Sequence, residues 1–263
     1  MSQAHEKISK AISDANAAGR TAVVPFLTAG YPDKNRFIET LKAIASVGDV
    51  VEVGVPFSDP MADGVTIQRS SHAAIEAGVS LRWILEELCA AGDVGAPLVL
   101  MSYLNPLLAY GYEALAADAL AAGVCGFIVP DLPLDEAGSF GALMAEQGMG
   151  LVQLVTPVTP PARRQRLLAA SRGFTYAVTV TGITGGDLGP QDGLFQSLAT
   201  LRAEATTPVM AGFGIRHPSQ VAELAPHVDG VIVGSALLDC IRAGRDPVAF
   251  LSSLSSANRE VFS

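Results

Sequence analysis

Lysine is scarce in this chain: the 263 residues contain only Lys7, Lys10, Lys34 and Lys42. All four fall in stretches with helical patterning and none ends a strand-like run, which excludes an aldolase that forms a Schiff base on a strand lysine. Cysteine is rare too. Cys89, Cys125 and Cys240 are far apart, odd in number and without a CxxC pair, so small apolar filler in a reducing compartment is expected. His5, His72, His217 and His227 show no metal-ligand spacing, and no GxSxG elbow marks a serine hydrolase. Positive charge is in deficit, with a formal net charge of −9 and a pI near 4.9. That balance argues against a surface for nucleic acid, which needs Lys and Arg to meet phosphates. Charged residues of both signs reach only 16% against 49% hydrophobic, too apolar for disorder. Long hydrophobic runs are missing as well: none approaches the roughly 20 residues that cross a bilayer. The opening MSQAHEKISKAISDA has no apolar segment of the signal-peptide kind. A soluble cytoplasmic protein is expected.

What the chain does have is repetition of one pattern. Short apolar runs lie at 22–28, 50–54, 97–103, 125–131, 151–157, 175–182, 207–214 and 230–236, eight in all. They are continuous rather than alternating, as in parallel strands covered on both faces. Between them lie helical stretches. Asp33 opens KNRFIETLKAIASV, with Gly48 as its stop; EALAADALAAG, ARRQRLLAASRG and FQSLATLRAEA behave similarly. The long interval between the second and third runs holds two helices, near 66–77 and 81–91. Residues 3–17 read as an extra helix before the first strand and 246–258 as one after the last. Strand-then-helix repeated eight times predicts a (β/α)8 TIM barrel spanning 1–263 as a single domain, with added N-terminal and C-terminal helices. An open doubly wound sheet is the competing arrangement, and the even spacing of eight units favours closure.

A barrel of this kind does its chemistry at the C-terminal ends of its strands. Glu52 lies inside the run VVEVG, where burial of a carboxylate raises its pKa and suits acid/base work, unless it is a structural Glu bonded to backbone or water. The next loop, GVPFSDPMADG, carries Asp59 and Asp63, which are either turn formers or partners of Glu52. The seventh run ends in AGFGI and the eighth in VGSALL, so Gly212, Gly214, Gly234 and Ser235 sit where barrels hold phosphate on helix N-terminal amides. The sixth leads into TGITGGDLGPQDG (181–193), long, glycine-rich and without helical period, which is expected to act as a closing lid. Together these features point to a phosphorylated substrate handled by carboxylates, without metal or covalent intermediate.

On these residues the sequence resembles the tryptophan synthase alpha subunit family. VEVGVPFSDPMADGVTIQ is close to the signature of that family, and PFLTAGYPD, GFIVPDLP, FTYAVTVTGITG, AGFGI and VGSAL follow in its order and spacing across essentially the whole chain. The resemblance implies retro-aldol cleavage of indole-3-glycerol phosphate to indole and glyceraldehyde 3-phosphate. It implies Glu52 as general acid/base, Asp63 as the group holding the indole N–H, and Thr184 as the lid residue that orients Asp63. It further implies Phe26, Tyr103, Tyr176 and Phe213 around the indole, and Gly185, Gly214, Gly234 and Ser235 around the phosphate. No cofactor is implied in this subunit. The implied partner is a beta subunit that carries pyridoxal phosphate, receives indole for tryptophan synthesis in an alpha2beta2 tetramer, and docks near Asp59. Where many members carry a charged residue before the lid glycine, this chain reads VTVTG (178–182). Other phosphate-binding barrels, such as a phosphoribosyl isomerase or indole-glycerol phosphate synthase, and a silent activator of the beta subunit are the alternatives. The synthase relies on a strand-end lysine that is missing here.

Overall fold

A computed structural model describes residues 3–179, 191–212 and 214–256. Eight parallel strands pair in sequence order, and the first also pairs with the last, so the sheet closes into a barrel and the open-sheet alternative falls. The strands are β1 (Ala22–Thr28), β2 (Val51–Gly54), β3 (Leu98–Met101), β4 (Val124–Ile128), β5 (Gly150–Val155), β6 (Thr175–Val178), β7 (Val209–Gly212) and β8 (Gly230–Val233). Each falls at one of the eight expected runs, although β3 to β8 all end two to four residues earlier.

The helices wrap the outside: α2 (Phe37–Ala45), α3 (Val65–Glu76), α4 (Leu81–Ala91), α5 (Leu104–Tyr110), α6 (Tyr112–Ala121), α7 (Gly138–Glu146), α8 (Pro161–Ala170), α9 (Gln191–Glu204), α10 (Pro218–Leu224), α11 (Ser235–Arg242) and α12 (Pro247–Ser256). Two of their starts are capped by side chains, the first at the expected Asp33. The Asp33 carboxylate accepts the Asn35 N–H at 2.9 Å at the head of a short 3-10 turn before α2, and the Ser80 hydroxyl accepts Trp83 N–H at 3.2 Å at the head of α4. One helix was not legible: α5 follows β3 directly, so the third interval holds two helices, α5 and α6. The expected lid also shrinks, since Gln191–Gly193 form the first turn of α9. The remainder of that segment, including Thr184 and Gly185, lies outside the described residues, as does Phe213. Val178 and Thr179 of the VTVTG stretch are described; Thr179 bonds the Gly212 carbonyl through both its N–H (3.1 Å) and its hydroxyl (2.7 Å).

Two apolar layers result. The larger lies between strands and helices; the smaller fills the barrel and includes Val24, Val50, Val99, Val152, Phe174 and Met210. The expected extra helix, α1 (Ala4–Ala17), inserts Ile8 and Ile12 into this inner layer from the N-terminal end of the strands, both fully buried. Hydrogen bonds seat it there. The Ser9 hydroxyl donates to Gly173 O at 2.6 Å and the Asn16 amide to Asp229 O at 2.8 Å. Among the described residues, no helix is long and apolar enough to cross a membrane.

Candidate active site

The strand β2 supplies the central group. Val50, Glu52 and Gly54 alternate toward the barrel interior, as the two-residue period of a strand requires. Phe26 on β1 and Val99 on β3 are the register partners of Glu52. The Glu52 carboxyl is 1% exposed, and its Oε2 has no hydrogen-bond partner. A buried carboxylate in that state is costly. Burial first, and the Asp63 charge second, push its pKa up to about 8. With Oε2 unpartnered and its pKa raised by burial, the Glu52 carboxyl has the properties that suit it to hold a proton near neutral pH and pass it on.

Asp63 closes the loop after β2. Its carbonyl accepts the Gln68 side-chain amide at 2.8 Å, which ties the loop to the first turn of α3. Burial pushes the Asp63 carboxyl up to about 6, and a hydrogen bond from the Tyr103 side chain works in the opposite direction. Two carboxyl groups with separated pKa values, one protonated and one ionised near neutrality, are the arrangement that acid/base assignments require. Asp59, by contrast, stands exposed at the rim with the Ser58 hydroxyl donating to it at 2.5 Å. It belongs to the surface of the mouth rather than to the pair.

Of the expected binding residues, the structure brings Phe26, Tyr103 and Tyr176 to this point. A cleft beside Asp63 is lined by Phe26, Gly54, Val55, Met101, Ser102 and Tyr103, and by Ile67 and Ser71 of α3. Tyr103 stacks on Phe57 with ring centroids 5.0 Å apart. Tyr176 is buried as well, its hydroxyl pushed well up by burial and by the charges of Glu52 and Asp63. Glycine at two strand ends makes this packing feasible. A Cβ on Gly54 would lie 2.4 Å from the Phe26 ring, and one on Gly212 would lie 2.3 Å from the Tyr176 hydroxyl. Gly214 has φ +84°, a conformation glycine alone adopts easily. Gly234 precedes Ser235 at the head of α11 and flanks Phe26. Sequence reasoning missed Ile67, Ser71 and Phe57. The serines of α3 on a helix directly following an acidic loop were the available signal. Among the described residues, no group of three His, Cys, Asp or Glu side chains is placed to hold a metal ion.

A closed (β/α)8 barrel with a buried acid and a neighbouring carboxylate at its C-terminal mouth defines an acid/base enzyme of the barrel class. The family model of the tryptophan synthase alpha chain matches residues 12–261. The tryptophan synthase alpha chain of Nitratidesulfovibrio vulgaris (strain Hildenborough) is 46% identical over 249 residues, covering 94% of this chain and 97% of that one. Among solved structures, tryptophan synthase from Mycobacterium tuberculosis superimposes with a TM-score of 0.88 at 36% identity, over 96% of this chain and 98% of that one. The alpha chain from Legionella pneumophila gives a TM-score of 0.86 at 30% identity, over 98% of each. The chain belongs to the tryptophan synthase alpha chain family. It is a lyase that cleaves indole-3-glycerol phosphate to indole and glyceraldehyde 3-phosphate in tryptophan biosynthesis, and its partner is a beta subunit. Neither the other phosphate-binding barrels nor a silent activator finds support.

Proposed function

We propose that Glu52 and Asp63 divide the cleavage between them. Glu52, protonated at neutral pH, gives its proton to indole C3, and positive charge develops on the ring nitrogen. The Asp63 carboxylate accepts the indole N–H and stabilises that charge, worth far more in a site shielded from water than in bulk solvent. Glu52, now ionised, takes the proton of the adjacent glycerol hydroxyl. The carbon–carbon bond breaks, its electron pair returns to the ring, and the hydroxyl carbon becomes the aldehyde. Phe26, Tyr103 and Tyr176, with Phe213, wall the indole; Gly214, Gly234, Ser235 and Gly185 hold the phosphate on main-chain amides. The chain uses no cofactor of its own, works in the cytoplasm, and joins a pyridoxal phosphate-carrying beta subunit as an alpha2beta2 tetramer. Asp59 meets that partner at the rim, and Thr184 orients Asp63.

The observation that carries this reading is the buried Glu52 with one oxygen unpartnered, facing Asp63. Indole release from indole-3-glycerol phosphate, with and without the beta subunit, tests it. The rate should form a bell in pH. Its acid limb, near 6, reports protonation of Asp63, and its alkaline limb, near 8, reports loss of the Glu52 proton. A rate that keeps rising through pH 9 would show that Glu52 does not act first as an acid.

A further inference from the structure

We propose that Tyr103 is a positioning residue of this reaction: its hydroxyl, fixed by the Ala62 amide, aims the Asp63 carboxylate at the indole nitrogen. The inference rests on the roles given above to Asp63 and Glu52. The direction of the hydrogen bonds follows from counting donors. An amide N–H only donates, so the Tyr103 oxygen accepts from Ala62 at 2.8 Å. The single phenolic proton is then left for an acceptor, and the Asp63 carboxyl, on the residue immediately after Ala62, is the group it acts on. A phenol that already accepts a hydrogen bond donates a stronger one, and an ionised acceptor strengthens it again. Tyr103 thus grips the loop by its backbone and by its functional group at once.

The tyrosine is itself held on three sides. Its ring lies against Phe57 at 5.0 Å between centroids with an interplanar angle of 28°. The Ser102 hydroxyl donates to the Tyr103 carbonyl at 2.9 Å, and Asp131, from the PDLP segment after β4, accepts the Leu104 N–H at 2.9 Å. A residue at the β3–α5 junction, braced from β4, therefore sets a carboxylate carried by the loop after β2. Spacing along the chain does not reveal such a link, because each member sits on a different βα unit.

The titratable groups facing Asp63 among the described residues are Glu52 from β2, Tyr103 and Tyr176 from β6; Asp131 acts on Tyr103. Burial raises the Asp63 pKa while Tyr103 lowers it. Removing the hydroxyl leaves burial unopposed, so Asp63 should ionise at higher pH.

Tyr103→Phe keeps the ring, the stack and the pocket wall, and deletes the hydroxyl alone. In the free protein, the midpoint of a carbon-13 titration of the Asp63 carboxyl should move upward by about 0.5 to 1 in pH. With indole-3-glycerol phosphate, the acid limb of kcat/KM should move the same way. At pH 7, kcat should fall about tenfold with a smaller change in KM, because the ionised Asp63 counts most in the transition state. In an Asp63→Asn background the same substitution should cost less than about twofold, since its route to the chemistry is already cut. An unmoved Asp63 titration, or an undiminished cost in the Asp63→Asn background, overturns the proposal. A wild-type protein that releases no indole would instead overturn the reaction, while the free-protein titration still decides the role of Tyr103.

Discussion

The two ends of the barrel are built from the same eight strands and treat polar groups in opposite ways. At the N-terminal end, acidic groups are paired. Asp49 accepts the Val23 N–H at 2.8 Å and Arg20 at 2.9 Å; Asp229 accepts the Val209 N–H at 2.8 Å and Arg202 at 2.8 Å. Helix α1 then closes that end with Ile8 and Ile12. At the C-terminal end, Glu52 is left with an unpartnered oxygen, and both it and Asp63 are pushed up in pKa. One end is arranged to hold the fold, the other to react, and the unsatisfied acid is tolerated because the rest of the molecule supports it.

Glu52→Gln tests the contrast most severely. The amide keeps size but cannot exchange a proton, so indole release should fall by at least about a hundredfold. Stability should move the other way. A carboxyl whose pKa rises on folding contributes stability that is intact below the unfolded value of 4.5 and lost as pH climbs through about 8. Glutamine never ionises, so the variant should become more stable than the parent across that window. The gain above pH 8 should be a few kcal/mol, on the order of 1.4 kcal/mol for each tenfold weakening of the acid by burial. Denaturation at pH 4 and pH 8.5 checks the sign; an equal difference at both would mean that burial of the charge is not the cause.

Asp49→Ala should show the converse. It leaves the Val23 amide and the Arg20 guanidinium without their acceptor at a largely buried spot, costing about 2–3 kcal/mol. Activity per folded molecule should be unchanged, because the site lies at the other end of β2. A loss of kcat comparable to the loss of stability would erase the division of labour. The mildest probe is Ile12→Val in the plug. Deleting one methylene from a fully buried side chain should cost about 1 kcal/mol, visible in a melting curve and silent in the lyase assay. A change in KM would mean that the inner layer transmits strain from the plug to the mouth.

Much of this division was legible beforehand in particular residues. A glutamate inside Val-Val-Glu-Val-Gly is unusual enough to mark the site, and the apolar runs located every strand. Helix α5 was not legible, because Leu-Asn-Pro-Leu-Leu-Ala-Tyr is seven residues with a proline and no amphipathic period. The pairing of Asp59 with Asp63 as loop acids was legible, but their separation into an exposed rim residue and a half-buried one was not. Side-chain type is the same at both positions, and only the surrounding strands distinguish them.

The sequence by itself determined the number of strands, their parallel order and which segments would carry acids and glycines, since hydrophobic period and punctuation are local properties of the chain. The tertiary structure decided what those residues become. Closure of β1 on β8 places Phe26 beside Gly234, and neighbouring units bring Tyr103 to Ala62 and Asp63. Strands covered on both faces are apolar throughout, so their sequence does not say which face looks inward. The pKa of a carboxyl depends on the water and charge removed from around it, and distant parts of the chain do the removing.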